Sequence, residues 1–268
     1  MKAARLTLLA ALVVLLVGTP ALATPPPTLH PGVLTVGLNM PTPGFEVGSV
    51  QGHDVRFARG FEIDLARAIA ASLGIKRVAF YQEAQFNRLI AAGPKPWDIA
   101  LGEVSITDAR AAQVTMSIPY LDASQGVLVR RGLTPLPKTR ADLAALRICT
   151  QSSTTGADVV TNLIQPTRPA KLYGNVTRMV DALQAGRCDA VVYDAPILAI
   201  LRAQTPERYG PLAGVIDTQE HYGVVLPKGS PLEAAVNAAV GTLIANGRIS
   251  ILSRRWLAAD MTKLPSLS

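Results

Sequence analysis

Apolar positions along this chain alternate between a spacing of two and a spacing of three to four. Val33-Leu34-Thr35-Val36-Gly37 is a short β-branched run closed by the turn-forming stretch Pro41 to Gly44, the pattern of a strand. From Phe61 to Leu73 the apolar residues Phe61, Leu65, Ala68, Ile69 and Leu73 recur at helical spacing and stop at Gly74. Strands at Val78 to Tyr81 and Ile99 to Leu101, with a helix around Phe86 to Ala92 between them, continue the alternation. Another strand, Gly126 to Arg130, precedes the break at Pro135 and Pro137. The pattern then restarts with a strand at Arg147 to Thr150, a helix near Gly156 to Leu163 and a strand at Ala170 to Tyr173. A helix at Val176 to Ala185 and a strand at Asp189 to Tyr193 complete this second set. A return strand at Gly223 to Leu226 leads to two closing helices, Leu232 to Ala245 and Ile249 to Leu257.

Strands alternating with helices of this length predict an α/β fold, each sheet mixed but mainly parallel and flanked by helices. The restart and the return strand predict two lobes joined by two crossing strands. The expected division is residues 28–127 with 223–268 in lobe 1 and 128–222 in lobe 2. Ligands of such sheets bind outside the carboxyl ends of the strands, here in the cleft between lobes.

The ends and the charge narrow the class. Lys2 and Arg5 precede a run from Leu6 to Val17 that is apolar except for Thr7, followed by Gly18, Pro20 and Ala21-Leu22-Ala23. This is the layout of a cleaved secretory signal peptide over residues 1–23, and it predicts a periplasmic protein. Twelve residues reach about 18 Å as a helix, too short to span a bilayer, and no Cys follows for a lipid anchor. Losing Lys2 and Arg5 lowers the formal charge from +7 to +5, and the remaining basic residues are scattered. With aromatics at 5%, a nucleic-acid surface is not expected. Cys149 and Cys188 sit at the starts of two β-branched runs. In an oxidising compartment they form a disulfide if those runs are neighbouring strands, and otherwise remain buried thiols. His30, His53 and His221 show no ligand spacing with them, so neither metal nor cofactor is expected.

Four local patterns carry chemistry suited to a zwitterion. Ser105-Ile106-Thr107-Asp108-Ala109-Arg110 follows a strand, and its Arg offers a planar fork for a carboxylate; alone, it also reads as a surface Arg in a first helical turn. Gln151-Ser152-Ser153-Thr154-Thr155-Gly156 places hydroxyls and free N–H groups at a helix start, which suits an anion or ordinary capping. Gly186 to Asp194 ends a strand in a carboxylate that either accepts from an ammonium or caps the helix near Pro196. Pro43-Gly44-Phe45 and Phe86 offer apolar walls or core packing.

Taken in order with Gly60-Phe61-Glu62-Ile63-Asp64-Leu65-Ala66, Asp98 through Arg110, Ser117-Ile118-Pro119-Tyr120 and Tyr222 through Gly229, these segments resemble the family 3 extracellular solute-binding proteins. Those proteins deliver polar amino acids to ABC transporters, and the resemblance runs from about Leu34 to Trp256. It implies a type II periplasmic-binding-protein fold and a monomer whose partners are a small amino acid and, transiently, a permease. It implies that Arg110, with Ser105 beside it and Thr155 from the second lobe, holds the ligand α-carboxylate. Asp194 accepts from the α-ammonium, and Phe86 is an apolar wall.

Two positions depart from the family pattern. Thr42 stands where a stacking aromatic is common, and Glu103 where Gly or Ser is common. Glu103 either pairs with a cationic ligand head, which favours a basic or polar amino acid, or is neutralised by an Arg such as Arg59. Glu103 also keeps a second class open, an enzyme resembling the periplasmic cyclohexadienyl dehydratases, with this carboxyl as general acid. A module that presents its ligand to a receptor instead of a permease is the third reading.

Overall fold

The computed structural model describes residues 26–257 and 265–267; the expected signal segment lies outside them. The strands are β1 (Val33–Leu38), β2 (Val47–Gln51), β3 (Asp54–Arg59), β4 (Arg77–Gln82), β5 (Ile99–Ala100), β6 (Thr115–Val129), β7 (Ile148–Gln151), β8 (Lys171–Tyr173), β9 (Ala190–Asp194) and β10 (Leu212–Leu226). The helices are α1 (Phe61–Ser72), α2 (Asn87–Ile90), α3 (Asp108–Gln113), α4 (Arg140–Ala144), α5 (Thr155–Val159), α6 (Val176–Gln184), α7 (Ala195–Gln204), α8 (Glu233–Ala245) and α9 (Arg248–Trp256). A π-helical turn, Val160–Ile164, prolongs α5 until Gln165 adopts a left-handed conformation. Among the described residues no single helix is long and apolar enough to cross a membrane.

The strands run in the order β2-β3-β4-β1-β5-β10-β6-β9-β7-β8. In one lobe β1 lies parallel to β4 and β5; in the other β7 lies parallel to β8 and β9. Between them β6 and β10, 15 residues each, pair antiparallel and pass from one lobe to the other. These are the two crossing strands, and the short runs Gly126–Arg130 and Gly223–Leu226 are only parts of them. Pro119 interrupts the apolar pattern of β6 but not the strand. It faces Gly223 between two register shifts, where the regular ladder is already interrupted and the Gly223 N–H donates to the Val104 carbonyl at 3.0 Å, and a residue without an N–H is tolerated at such an irregularity.

Alternation of side chains across the sheet separates the core into layers. In β9, Ala190 and Val192 face a cluster with Val127, Val129, Ile148 and Ile164, while Val191 and Tyr193 face the main core with Leu128, Met179 and Leu198. Phe86, Leu89, Trp97, Val104 and Val225 form a third cluster against β5. Gly37 is required there, since a Cβ would lie 2.7 Å from the Trp97 ring.

The helix expected over Phe86 to Ala92 is a single turn, because Ala91 is already extended (ψ 151°) ahead of Gly93 and Pro94. Cys149 in β7 and Cys188 just before β9 are disulfide-bonded, with 5.9 Å between their Cα atoms. Beside this bond, Asp189 accepts from Arg130 at 2.9 Å and from Arg147 at 2.8 and 2.9 Å, tying β6, β7 and β9 together. Those contacts hold its carboxyl well below the usual carboxylate range.

Candidate functional site

Where the lobes meet, short segments after β5, β7 and β9 bring polar side chains inward from both sides. Thr107 caps α3, its hydroxyl accepting from the Arg110 N–H at 3.2 Å, and this turn points the Arg110 side chain into the interface. Arg110 is 8% exposed, so the alternative of a solvated surface Arg does not hold. Its Nη1 donates to the Ser105 carbonyl at 2.9 Å, and its Nη2 crosses to the Ser153 carbonyl of the other lobe at 3.2 Å. The guanidinium lies 5.3 Å from the centre of the Phe86 ring, which supports it from below. Burial pushes its pKa below the ordinary value, while Asp194, Glu220 and Asp158 favour the charged form.

On the opposite side, capping falls to Thr154, whose hydroxyl accepts from the Ala157 N–H. Thr155, the first residue of α5, is therefore free to aim its hydroxyl across the interface. Gly156 lets this helix start approach closely: a Cβ there would sit 2.7 Å from Gln125 Oε1. Asp194 stands at the N-cap position of α7 but makes no side-chain cap hydrogen bond, so the capping alternative fails. Its carboxylate accepts from Gln125 Nε2 at 2.9 Å and from the Tyr222 hydroxyl at 2.5 Å. Burial, then repulsion from Glu220, raise its pKa to about 6 against the pull of those donors and Arg110.

The centre of the arrangement is Glu220 on β10. Its Oε2 accepts from Thr155 Oγ1 at 2.6 Å and Ser105 Oγ at 2.9 Å; its Oε1 accepts from Thr218 Oγ1 at 2.6 Å and Gln125 Nε2 at 3.1 Å. A carboxylate thus sits among hydroxyls from both lobes, within the field of Arg110.

Glu103 is buried, and no ion pair reaches it among the described residues; Arg59 is exposed on β3, so neutralisation by that Arg is ruled out. It adjoins Glu46 and Glu62, with one oxygen from each of the three within 4.8 Å of the others. The Glu103 N–H and the Tyr120 hydroxyl both donate to Glu62 Oε1. Burial raises the Glu62 pKa to about 7 and holds Glu46 and Glu103 well above the carboxylate range. For Glu103 the neighbours Glu62, Glu46 and Asp194 add to that rise, and the Thr42 hydroxyl opposes it. Thr42 is itself buried at 1% exposure. Phe45, considered as a ligand wall, instead packs edge-on against Phe61 and Tyr222 in the core.

The structure thus brings together Arg110, Ser105, Thr155, Asp194 and Phe86 and sets Thr42 and Glu103 beside them. Sequence reasoning did not single out Gln125, Glu220 or the Glu46–Glu62 pair. Gln125 carried a usable signal, a polar residue opening the apolar run Gly126 to Val129.

Residues 34–259 match the model of the bacterial extracellular solute-binding proteins, family 3. The L-cystine-binding protein TcyJ of Escherichia coli K12 is 29% identical over 234 residues, covering 87% of this chain and 85% of that protein. A mutant of ArgBP from T. maritima superposes with a TM-score of 0.73 at 30% identity, covering 85% of this chain and 96% of that one. The ancestral amino acid-binding protein AncCDT-1, described as a precursor of cyclohexadienyl dehydratase, superposes with a TM-score of 0.72 at 26% identity, covering 84% and 95%.

Proposed function

We propose, from the premise that this chain belongs to family 3 of the bacterial extracellular solute-binding proteins, that it captures an amino acid between its lobes in the periplasm and passes it to an ABC transporter permease. One observation carries the reading: a guanidinium from one lobe and a carboxylate from the other are buried in the same interface, with hydroxyls of both lobes between them. Such a pair matches the two poles of an α-amino acid. Arg110, Ser105 and Thr155 take the α-carboxylate, Asp194 the α-ammonium, and Phe86 lies under the guanidinium. A ligand that touches both sides stabilises the closed state by its differential affinity for it. Glu103, with Glu62 and Glu46 behind it and Thr42 beside it, favours a ligand whose side chain ends in a cation or a hydrogen-bond donor. The division of the lobes near residues 127 and 222 belongs to the same proposal, both positions falling within the long strands β6 and β10.

The protein acts by binding and not by catalysis. Glu103 supports the competing reading, because a carboxyl kept protonated in a closed cleft is what a general acid requires. Release of phenylpyruvate from prephenate, or phenylalanine from arogenate, would decide for the enzyme.

A thermal-shift screen of the protein lacking residues 1–23 against the common amino acids tests the binding function. A ligand at 100 times its dissociation constant adds about 2.7 kcal/mol of stability. Basic and polar amino acids are expected to raise the midpoint most, and Arg110→Ala to abolish the effect while leaving the circular dichroism spectrum intact. No stabilisation by any amino acid would refute the proposal.

A further inference from the structure

The seat at the centre of the interface is already filled by a carboxylate of the chain. A carboxylate has two oxygens with about two acceptor positions each, and Glu220 uses all four, on Thr155, Ser105, Thr218 and Gln125. Ser105 and Thr155 belong to different lobes, so this one side chain fastens them together. These are the donors, with Arg110, that an amino-acid carboxylate would need.

The strand that carries Glu220 is irregular immediately before it. Between Ile216, opposite Gln125, and Glu220, opposite Ala123, β10 advances four residues while β6 advances two. The excess is taken up in a bulge at 217–219, in which Gln219 has a φ of +54° and its N–H donates to Asp217 Oδ1 at 3.1 Å. Alongside lies a cavity of about 450 Å³ whose lining includes Glu220, Ser124, Gln219 and His221 together with two further acids, Asp122 and Asp217. Its volume exceeds that of a carboxylate side chain, and with Asp122 and Asp217 in its lining a displaced Glu220 would have to stay hydrated there.

We propose that Glu220 is an internal stand-in for the ligand carboxylate: it latches the lobes closed when no ligand is bound, and an incoming amino acid must displace it toward the adjoining cavity. This rests on the amino-acid-binding reading. Glu220 then sets both affinity and choice of ligand. If the latched form holds nine-tenths of the ligand-free molecules, apparent affinity is cut about tenfold. An amine without a carboxylate needs no displacement and gains from Glu220 staying in place.

The test compares wild type with Glu220→Ala, Glu220→Gln and Thr218→Val, the last removing one latch hydrogen bond from outside the clamp. Small-angle scattering of the ligand-free proteins should show wild type compact and Glu220→Ala expanded. Calorimetry with L-arginine should show about tenfold tighter binding by Glu220→Ala, with Glu220→Gln and Thr218→Val tighter by smaller factors. Agmatine, the decarboxylated analogue, should bind Glu220→Ala no better than wild type. Unchanged scattering, or L-arginine binding that is equal or weaker in the Ala and Gln variants, overturns the latch. If neither wild type nor any variant binds an amino acid, the function proposed above fails, and the scattering comparison still decides the latch.

Discussion

Asp194 is buried, accepts two hydrogen bonds and lies in the field of Arg110, and these conditions fix its response to a ligand. With a pKa of about 6 it holds a proton in mildly acid solution, whereas an ammonium group needs the carboxylate. Binding therefore releases a proton at pH 5, and affinity should rise between pH 5 and 7, by at most about tenfold per unit below pH 6. Calorimetry in two buffers of different ionisation enthalpy measures that proton. Asp194→Asn should weaken amino acids by at least ~1.5 kcal/mol and leave their desamino analogues unaffected; an equal loss for both would reject the ammonium contact. Arg110 and Asp194 were visible in the sequence because each ends a local motif with a fixed relation to a strand. Glu220 was not, because its role depends on two loops 50 residues apart, Ser105 and Thr155, closing on a strand that neither touches in sequence.

Among the elements, those with one apolar face were legible, and those without were missed. Helix α6 buries Val176, Met179, Val180 and Leu183 along one side, and its expected bounds differ by a single residue. The hairpin of β2 and β3 shows no alternation to read, since almost all of its residues are exposed or half-buried. The crossing strands were seen only in part because their surroundings change along their length: Gln125, Ser117 and Tyr120 in β6 are buried among polar partners, whereas Val127 to Val129 are buried in apolar layers. The disulfide was legible to the extent that two β-branched runs could be guessed to be neighbours, as β7 and β9 are. It closes a loop across a sequence separation of 39 residues. Replacing Cys149 and Cys188 together by Ser should therefore cost about 3–4 kcal/mol in urea unfolding on the chain-entropy argument. Thiol titration of the unreduced, denatured protein should find no free thiol, and two titratable groups would show that the bond does not form.

At the scale of the whole molecule, the fold buries several carboxyls whose ionisation it disfavours, and stability must carry that signature. Glu46, Glu62, Glu103 and Asp194 all have pKa values raised by burial, and several of them repel one another. A carboxyl with a raised folded-state pKa binds more protons folded than unfolded between its ordinary value, about 4, and its folded one. Stability contributed in that window is present at low pH and lost as pH rises through the folded pKa. Asp189 works the other way: its folded pKa is depressed by Arg147 and Arg130, so its contribution is present at neutral pH and lost as pH falls below the ordinary carboxylate range. The two opposing trends meet near the ordinary carboxylate value, so maximal stability of the ligand-free protein falls at about pH 4. For Glu62 alone, a rise from 4.5 to about 7 amounts to on the order of 3 kcal/mol between pH 5 and pH 8. The melting midpoint should thus be about 5 °C or more lower at pH 8 than at pH 5. Glu103→Gln, which removes one of the mutually repelling acids while keeping its size, should flatten the slope, and Asp189→Asn should remove the fall on the acid side. Differential scanning calorimetry from about pH 2 to pH 8 reads all three, the Asp189 effect below the ordinary carboxylate value and the others above it. A wild-type midpoint that climbs steadily from pH 5 to 8 would mean that the buried carboxyls are charged and compensated, contrary to the packing that surrounds them.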